Sequence, residues 1–479
     1  MSVNKKYRAR EYLKESITMI RESNDILFRY PSSEHTNGRH TAYMARTSSG
    51  DVLVVDDVAQ PLDRQAAQFL RTEFPFTAPV PVLGRDCTIG LGDRLGLAAP
   101  GHIAAIRNYQ ATPVLVQQSM RELNLTGRTW QDILDVGTFM TFREGYTDGF
   151  GADGDHLKQA TDIGRVLSLG YTMVTLDCSE HIACDDGGDR VSSDVAGRYL
   201  GRAFGLDNGQ NITLDRAQLA RAVNIYGKAL DFVADIWRMF WVNGAATADF
   251  ELSIDETTQP TTPEQHFFIA SELALRGVRM ATLAPRFCGE FQKAVDYVGD
   301  IAQFEHEVDT HAAIARRFGY KLSVHSGSDK FCIFPLVSRY TRGRYHLKTA
   351  GTSWLEAMRL IARLQPQLYR QAHAWAVKHV QEARTYYYVS LDMARVPDLA
   401  DLSDRDLPGL FDLDDARQLI HITYGVMLKN PTLRQALYRA WYDMDAQDNR
   451  PYADALSAHI GRHLEALGVL RKDEEKALK

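Results

Sequence analysis

From about residue 86 onward, short apolar runs alternate with helical segments, and this alternation restricts the fold more than any other feature of the chain. Strands separated by helices pair in parallel, because a parallel neighbour is reached only through a crossover. The apolar runs are residues 87–91, 113–118, a weak one at 149–154, 171–177, 249–254, 280–283, 321–324 and 345–349. Helical spacing marks residues 100–109, 159–169, 217–241, 263–276 and 291–318 between them. Eight such units over roughly 270 residues match the size of a (β/α)8 barrel. A doubly wound open sheet is the alternative, but no GxGxxG opens a helix. The glycines of Gly90-Leu-Gly-Asp-Arg-Leu-Gly96 have the wrong spacing for that fingerprint.

The expected class is therefore α/β, a TIM barrel over residues 86–365 with two additions. Residues 1–85 read as a small α+β unit: a helix over 7–23, strands at 41–45 and 51–56 around a Ser48-Ser-Gly50 turn, and a proline-rich connector at 75–81. Residues 366–479 read as a C-terminal helical extension, with helical spacing at 369–385, 414–428 and 431–444.

Composition narrows the partners. A net charge of −6 leaves no basic excess to meet phosphates, which argues against nucleic acid. No apolar run reaches the ~18 residues of a membrane span, and the N-terminus opens a charged helical pattern rather than a signal core. Five scattered cysteines without a CxxC pair fit reduced thiols in a cytoplasmic protein. A homo-oligomer stays open.

In a barrel of this kind chemistry sits at the C-terminal ends of the strands. The seventh run ends in His325-Ser-Gly-Ser-Asp-Lys330, which offers an imidazole, hydroxyls, a carboxylate and an amine, or else a polar turn. The first ends near Arg94, a clamp for a carboxylate or one half of an Asp93–Arg94 surface turn. The third gives Asp148-Gly-Phe-Gly-Ala-Asp-Gly-Asp155-His156-Leu-Lys158, where a metal ligand and a general base could sit side by side. The fourth ends in Asp177, costly to bury unless paired or on a metal, and otherwise a turn cap. On the fifth, alternation puts Glu251, Ser253 and Asp255 on one face, while Glu256 follows the apolar face past its end to the mouth. On the eighth, His346 and Lys348 share a face and suit an acidic substrate or a metal, or a core hydrogen bond and ion pair.

The motifs at 148–158, 175–181 (Thr-Leu-Asp-Cys-Ser-Glu-His), 253–257 (Ser-Ile-Asp-Glu-Thr) and 323–331 (Ser-Val-His-Ser-Gly-Ser-Asp-Lys-Phe) resemble those of the tagaturonate epimerase family, across roughly residues 80–430. The resemblance implies a metal-dependent barrel enzyme that interconverts tagaturonate and fructuronate in hexuronate breakdown. It implies His156, His325 and His346 as ligands of a divalent ion (Zn, Mn, Co or Ni), with Asp155 and Glu256 as the acid–base pair. Arg94, Asp177, Ser326, Asp329, Lys330 and Lys348 are the expected contacts to the sugar acid. The inverted carbon is β to the ketone, so retro-aldol cleavage and re-addition are expected rather than direct deprotonation. The rival readings are a metal-dependent epimerase, isomerase or aldolase of another sugar, and a non-catalytic sugar-acid-binding protein.

Overall fold

The computed structural model of the chain describes residues 26–445 and 450–473. Eight parallel strands close into a barrel: β1 (Cys87–Leu91), β2 (Thr112–Ser119), β3 (Gly151–Leu157), β4 (Met173–Asp177), β5 (Asp249–Ile254), β6 (Thr282–Pro285), β7 (Lys321–Val324) and β8 (Tyr345–Thr349). Each pairs with the next, and β8 returns to β1 with Tyr345 beside Cys87 and Thr349 beside Leu91.

Alternation along each strand sorts the side chains. On β5, Phe250 packs outward against Trp237 and Trp241 of the preceding helical segment. Glu251 points the other way and reaches Thr175 on β4, Thr282 on β6 and His325 beyond β7. The apolar faces therefore bury against the helices, and the lumen near the mouth is polar.

Two departures from the expected elements matter for the site. The third strand runs on to Leu157, and its pairing with β4 jumps from Gly154–Val174 to Leu157–Leu176. An extra residue bulged out of a ladder lets neighbouring side chains face the same way. His156 adopts φ 56° within this irregularity. The sequence reads as a loop there because β3 carries little apolar bulk. A Cβ on Gly154 would lie 2.9 Å from Leu157 and 3.0 Å from Val166, so the helix after β3 packs too closely for a larger residue.

The helix expected over 291–318 begins only at Ile301, where the Asp300 carboxylate accepts the amides of Ala302 and Gln303. The loop that replaces its start brings Gln292 and Lys293 to the barrel mouth.

Antiparallel strands Ile26–Arg29, His35–Thr36, Thr41–Thr47, Gly50–Val55 and Val58–Pro61 form the N-terminal sheet. Its core is continuous with Phe139 and Phe142 of the helix Trp130–Glu144. The expected helix over 7–23 lies outside the described residues. Thr352–Leu364 is the last helix of the barrel, and helices from Pro366 to Ala466 follow it. Among the described residues, no helix is long and apolar enough to cross a membrane.

Candidate active site

The floor of the mouth is organised by one buried amine. Lys348 Nζ lies 2.7 Å from Asp153 Oδ2, 2.7 Å from Asp155 Oδ1 and 2.7 Å from Glu251 Oε1, and donates to Thr175 as well. Burial alone would push this amine down, but the three carboxylates outweigh it and hold Lys348 well above the usual lysine range. Burial dominates at Asp153, whose carboxyl is pushed up to about 6 in spite of Lys348. Asp155 and Glu251 are buried too, yet Lys348 and the nearby imidazoles draw both well below the carboxylate range. Removing one partner from such a group leaves buried charge uncompensated, at a cost of about 3–5 kcal/mol.

Above this floor two imidazoles converge on one carboxylate. His325 Nε2 contacts Glu251 Oε1 at 2.8 Å, which turns Nδ1 to Asp255 Oδ1 at 3.0 Å. His156 Nδ1 contacts Asp155 Oδ1 at 2.8 Å, and its Nε2 faces Asp255 Oδ1 at 3.8 Å. The two rings stand with centroids 4.9 Å apart. His156, Asp255 and His325 each present a ligand atom within 4.8 Å of the others. Burial lowers both imidazoles, but Asp155 and Asp255 lift His156 well above its ordinary value, and Asp255 and Glu251 lift His325. The field at this point favours positive charge.

A cavity of about 370 Å³ opens above, lined by Arg94, Asp155, His156, Asp177, Asp255, Glu256, Lys293, His325, Ser326 and Lys348 among others. This is the volume of an ordinary small-molecule site. Most expected site residues meet here, but several do different work. Asp155 meets both Lys348 and His156 through the one oxygen Oδ1. Arg94 reaches the cavity already paired with Glu122 at 2.8 Å and stacked on Tyr424. Asp177 accepts the Ser179 amide through Oδ1, and its Oδ2 lies 3.4 Å from Lys158 Nζ without a hydrogen bond. Glu256 stands at the rim beside Arg121, 3.4 Å away. Ser326 accepts from Lys293 Nζ at 2.9 Å.

Three expectations are corrected by position. His346 is not in the converging trio. It lies two residues before Lys348 on β8, about 6.6 Å back along the strand and away from the mouth. Its Nδ1 meets Thr88 Oγ1 at 2.9 Å, and burial pushes its pKa down to about 3. Asp255 takes the third place instead. Asp329 turns away from the cavity to bind Arg417 and His459 of the C-terminal helices, at 2.6 Å each. Lys330 is fully buried and donates to the carbonyls of Gln292, Val295 and Ser328, so its charge fastens loops rather than a ligand.

Glu251 and Lys293 were passed over in the sequence. Alternation had already put Glu251 on the face of Asp255, and the Gly299-Asp300 pair was a helix-start signal that would have freed Lys293 from the helix.

The sequence matches the family model described as tagaturonate epimerase over residues 8–467. A relative from Thermotoga maritima named tagaturonate/fructuronate epimerase is 40% identical over 412 residues, covering 84% of each chain. Crystal structures of a fructuronate-tagaturonate epimerase from Cohnella laeviribosi share the fold with a TM-score of 0.89. Its glycerol complex is 41% identical and covers 98% of this chain and 100% of that one. Its native form is 42% identical, with 92% and 97% covered.

Proposed function

The chain belongs to the tagaturonate epimerase family, and from that premise we propose that it interconverts D-tagaturonate and D-fructuronate using a divalent metal ion held at the barrel mouth. The observation that carries the metal is the pair of backed imidazoles. Each has one nitrogen tied to a carboxylate (Asp155 or Glu251) and the other turned toward Asp255. A carboxylate behind a ligating histidine fixes its tautomer and raises its basicity, which is the usual support of a metal ligand. His156 Nε2, His325 Nδ1 and an Asp255 oxygen would hold the ion, a donor set suited to Zn, Mn, Co or Ni with positions open for substrate. When bound, such an ion acts as a Lewis acid toward a ketone and an adjacent hydroxyl.

The carbon that inverts is β to the ketone, and the carbonyl does not acidify its C–H. The proposed route begins with removal of the β-hydroxyl proton. The bond between the α and β carbons then breaks, its electron pair passes into an enediolate, and the β carbon becomes an aldehyde. Rotation of the aldehyde half and re-addition on its other face return the proton to oxygen and complete the inversion. Asp155 lends Oδ1 to His156 and Lys348 and keeps Oδ2 free of hydrogen bonds among the described residues, so the acid–base work falls to the cavity carboxyls Asp155, Glu256 and Asp177. Lys348 acts beneath them by holding Asp155 and Glu251 ionised behind the two imidazoles.

The test is tagaturonate turnover before and after chelation, with metal add-back and trapping of an aldehyde. The proposal expects loss with EDTA, recovery with a divalent ion, and a trapped three-carbon aldehyde. Full turnover in metal-stripped protein would sink the metal role. Absence of both aldehyde and exchange of labelled halves between substrate molecules would remove the cleavage route.

A further inference from the structure

A sugar acid brings a carboxylate, and among the described residues one cation at the cavity is ready to meet it. Lys348 is saturated by three carboxylates beneath the floor. Lys330 spends its protons on carbonyls away from the cavity. Arg94 is paired with Glu122, Arg121 with Glu256, and Lys158 with Asp177 and Glu180. Lys293 also lines the cavity, donates to the neutral hydroxyl of Ser326 at 2.9 Å, and forms no ion pair among the described residues.

The charges around it point the same way. On the Lys293 side of the cavity, the cations Arg94, Arg121 and Lys293 face the carboxylates Glu122 and Glu256, leaving one positive charge over. On the Lys158 side, one ammonium faces Asp177 and Glu180, leaving an excess of negative charge. A monoanionic substrate is drawn to the first side and repelled from the second.

We infer that Lys293, steadied by Ser326, is the anchor for the carboxylate of the substrate and the residue that makes this site choose a sugar acid over the neutral sugar. Ser326 follows His325 directly and adopts φ 52°, a strained conformation for a serine. The Ser326 hydroxyl ties the ammonium, which comes from the loop before Ile301, to the residue beside a proposed metal ligand, so the acid end and the reacting end of one small molecule are placed by two loops joined at Ser326. The inference rests on the sugar-acid reading of the site given above.

The experiment compares wild type, Lys293→Met and Lys293→Arg, all loaded with metal, by two readouts. One is the KM and kcat for tagaturonate. The other is equilibrium binding of a six-carbon aldonate and of the matching neutral hexitol. Lys293→Met is expected to weaken aldonate binding and to lower kcat/KM on the order of a hundredfold, mostly through KM. Hexitol binding and metal content should stay at the wild-type level, and Lys293→Arg should restore most of the aldonate affinity. Unchanged aldonate affinity in Lys293→Met overturns the inference, and so does an equal loss for aldonate and hexitol. A wild type that prefers the aldonate through Lys293 but never turns over tagaturonate would refute the proposed reaction and leave the anchor standing.

Discussion

Two clusters among the described residues bring an aspartate and two histidines within 4.8 Å of one another: His156, Asp255 and His325 at the barrel mouth, and Asp329, His459 and His463 where the final helix docks. Their compositions are the same, but their hydrogen bonding is not. In the second cluster every ring nitrogen is used within the protein. His459 is held between Asp329 at 2.6 Å and Glu356 at 3.0 Å. His463 contacts the His459 carbonyl through Nδ1 and accepts the Asp329 amide through Nε2. Arg417 takes the other Asp329 oxygen. In the first cluster His325 is likewise held between two carboxylates, Glu251 and Asp255, but His156 Nε2 only approaches Asp255 at 3.8 Å, and the three near atoms lie under an open cavity. Residue type alone does not separate a metal centre from a structural clamp. What separates them is which lone pairs remain, and whether a ligand can reach them.

The strongest way to break this comparison is to remove a ring from the first cluster. His325→Ala or His156→Ala should lose bound metal and reduce turnover by roughly 10³-fold or more, as expected when several kcal/mol of Lewis-acid stabilisation disappear. Metal content and kcat measured on the same preparation check it. A variant with full metal and full activity would return the cluster to a structural role. A smaller effect separates chemistry from binding at the rim. Glu256→Gln should keep its metal and lose on the order of 10²-fold in kcat, the contribution of one acid–base group. The smallest effect belongs to the second cluster. His459→Ala should cost about 1–3 kcal/mol of stability, seen in denaturant unfolding, because Asp329 and Glu356 lose a buried partner. Its metal content and kcat should stay at the wild-type level.

Much of this was legible in the sequence, for definite reasons. The strands Asp249–Ile254, Lys321–Val324 and Tyr345–Thr349 fall where their apolar runs placed them, because their outward faces bury against helices and must be apolar. His325 was found because it follows the end of β7, and His156 because the sequence reading ended the third run at 154, although the strand runs on past it through a bulge to Leu157. His346 was misplaced by the same logic that found its neighbour. Alternation gives the face of a side chain but not its depth, and two residues along β8 separate the layer of Lys348 from the one below. Depth also misled the reading of β5. Glu256 was preferred to Asp255 because it stood past the strand, yet the polar face of β5 is the luminal one. Asp329 and Lys330 belong to contacts with segments distant in sequence, Arg417 and His459 on one side and the 292–295 loop on the other, and no local pattern announces such partners.

Elemental analysis of purified wild type, His325→Ala and His459→Ala, each paired with a tagaturonate turnover assay, tests the central claim most directly. The account predicts one divalent ion per chain in wild type and His459→Ala, with matching activity, and loss of both ion and turnover in His325→Ala. Stoichiometric metal in His325→Ala, or its loss in His459→Ala alone, would contradict it.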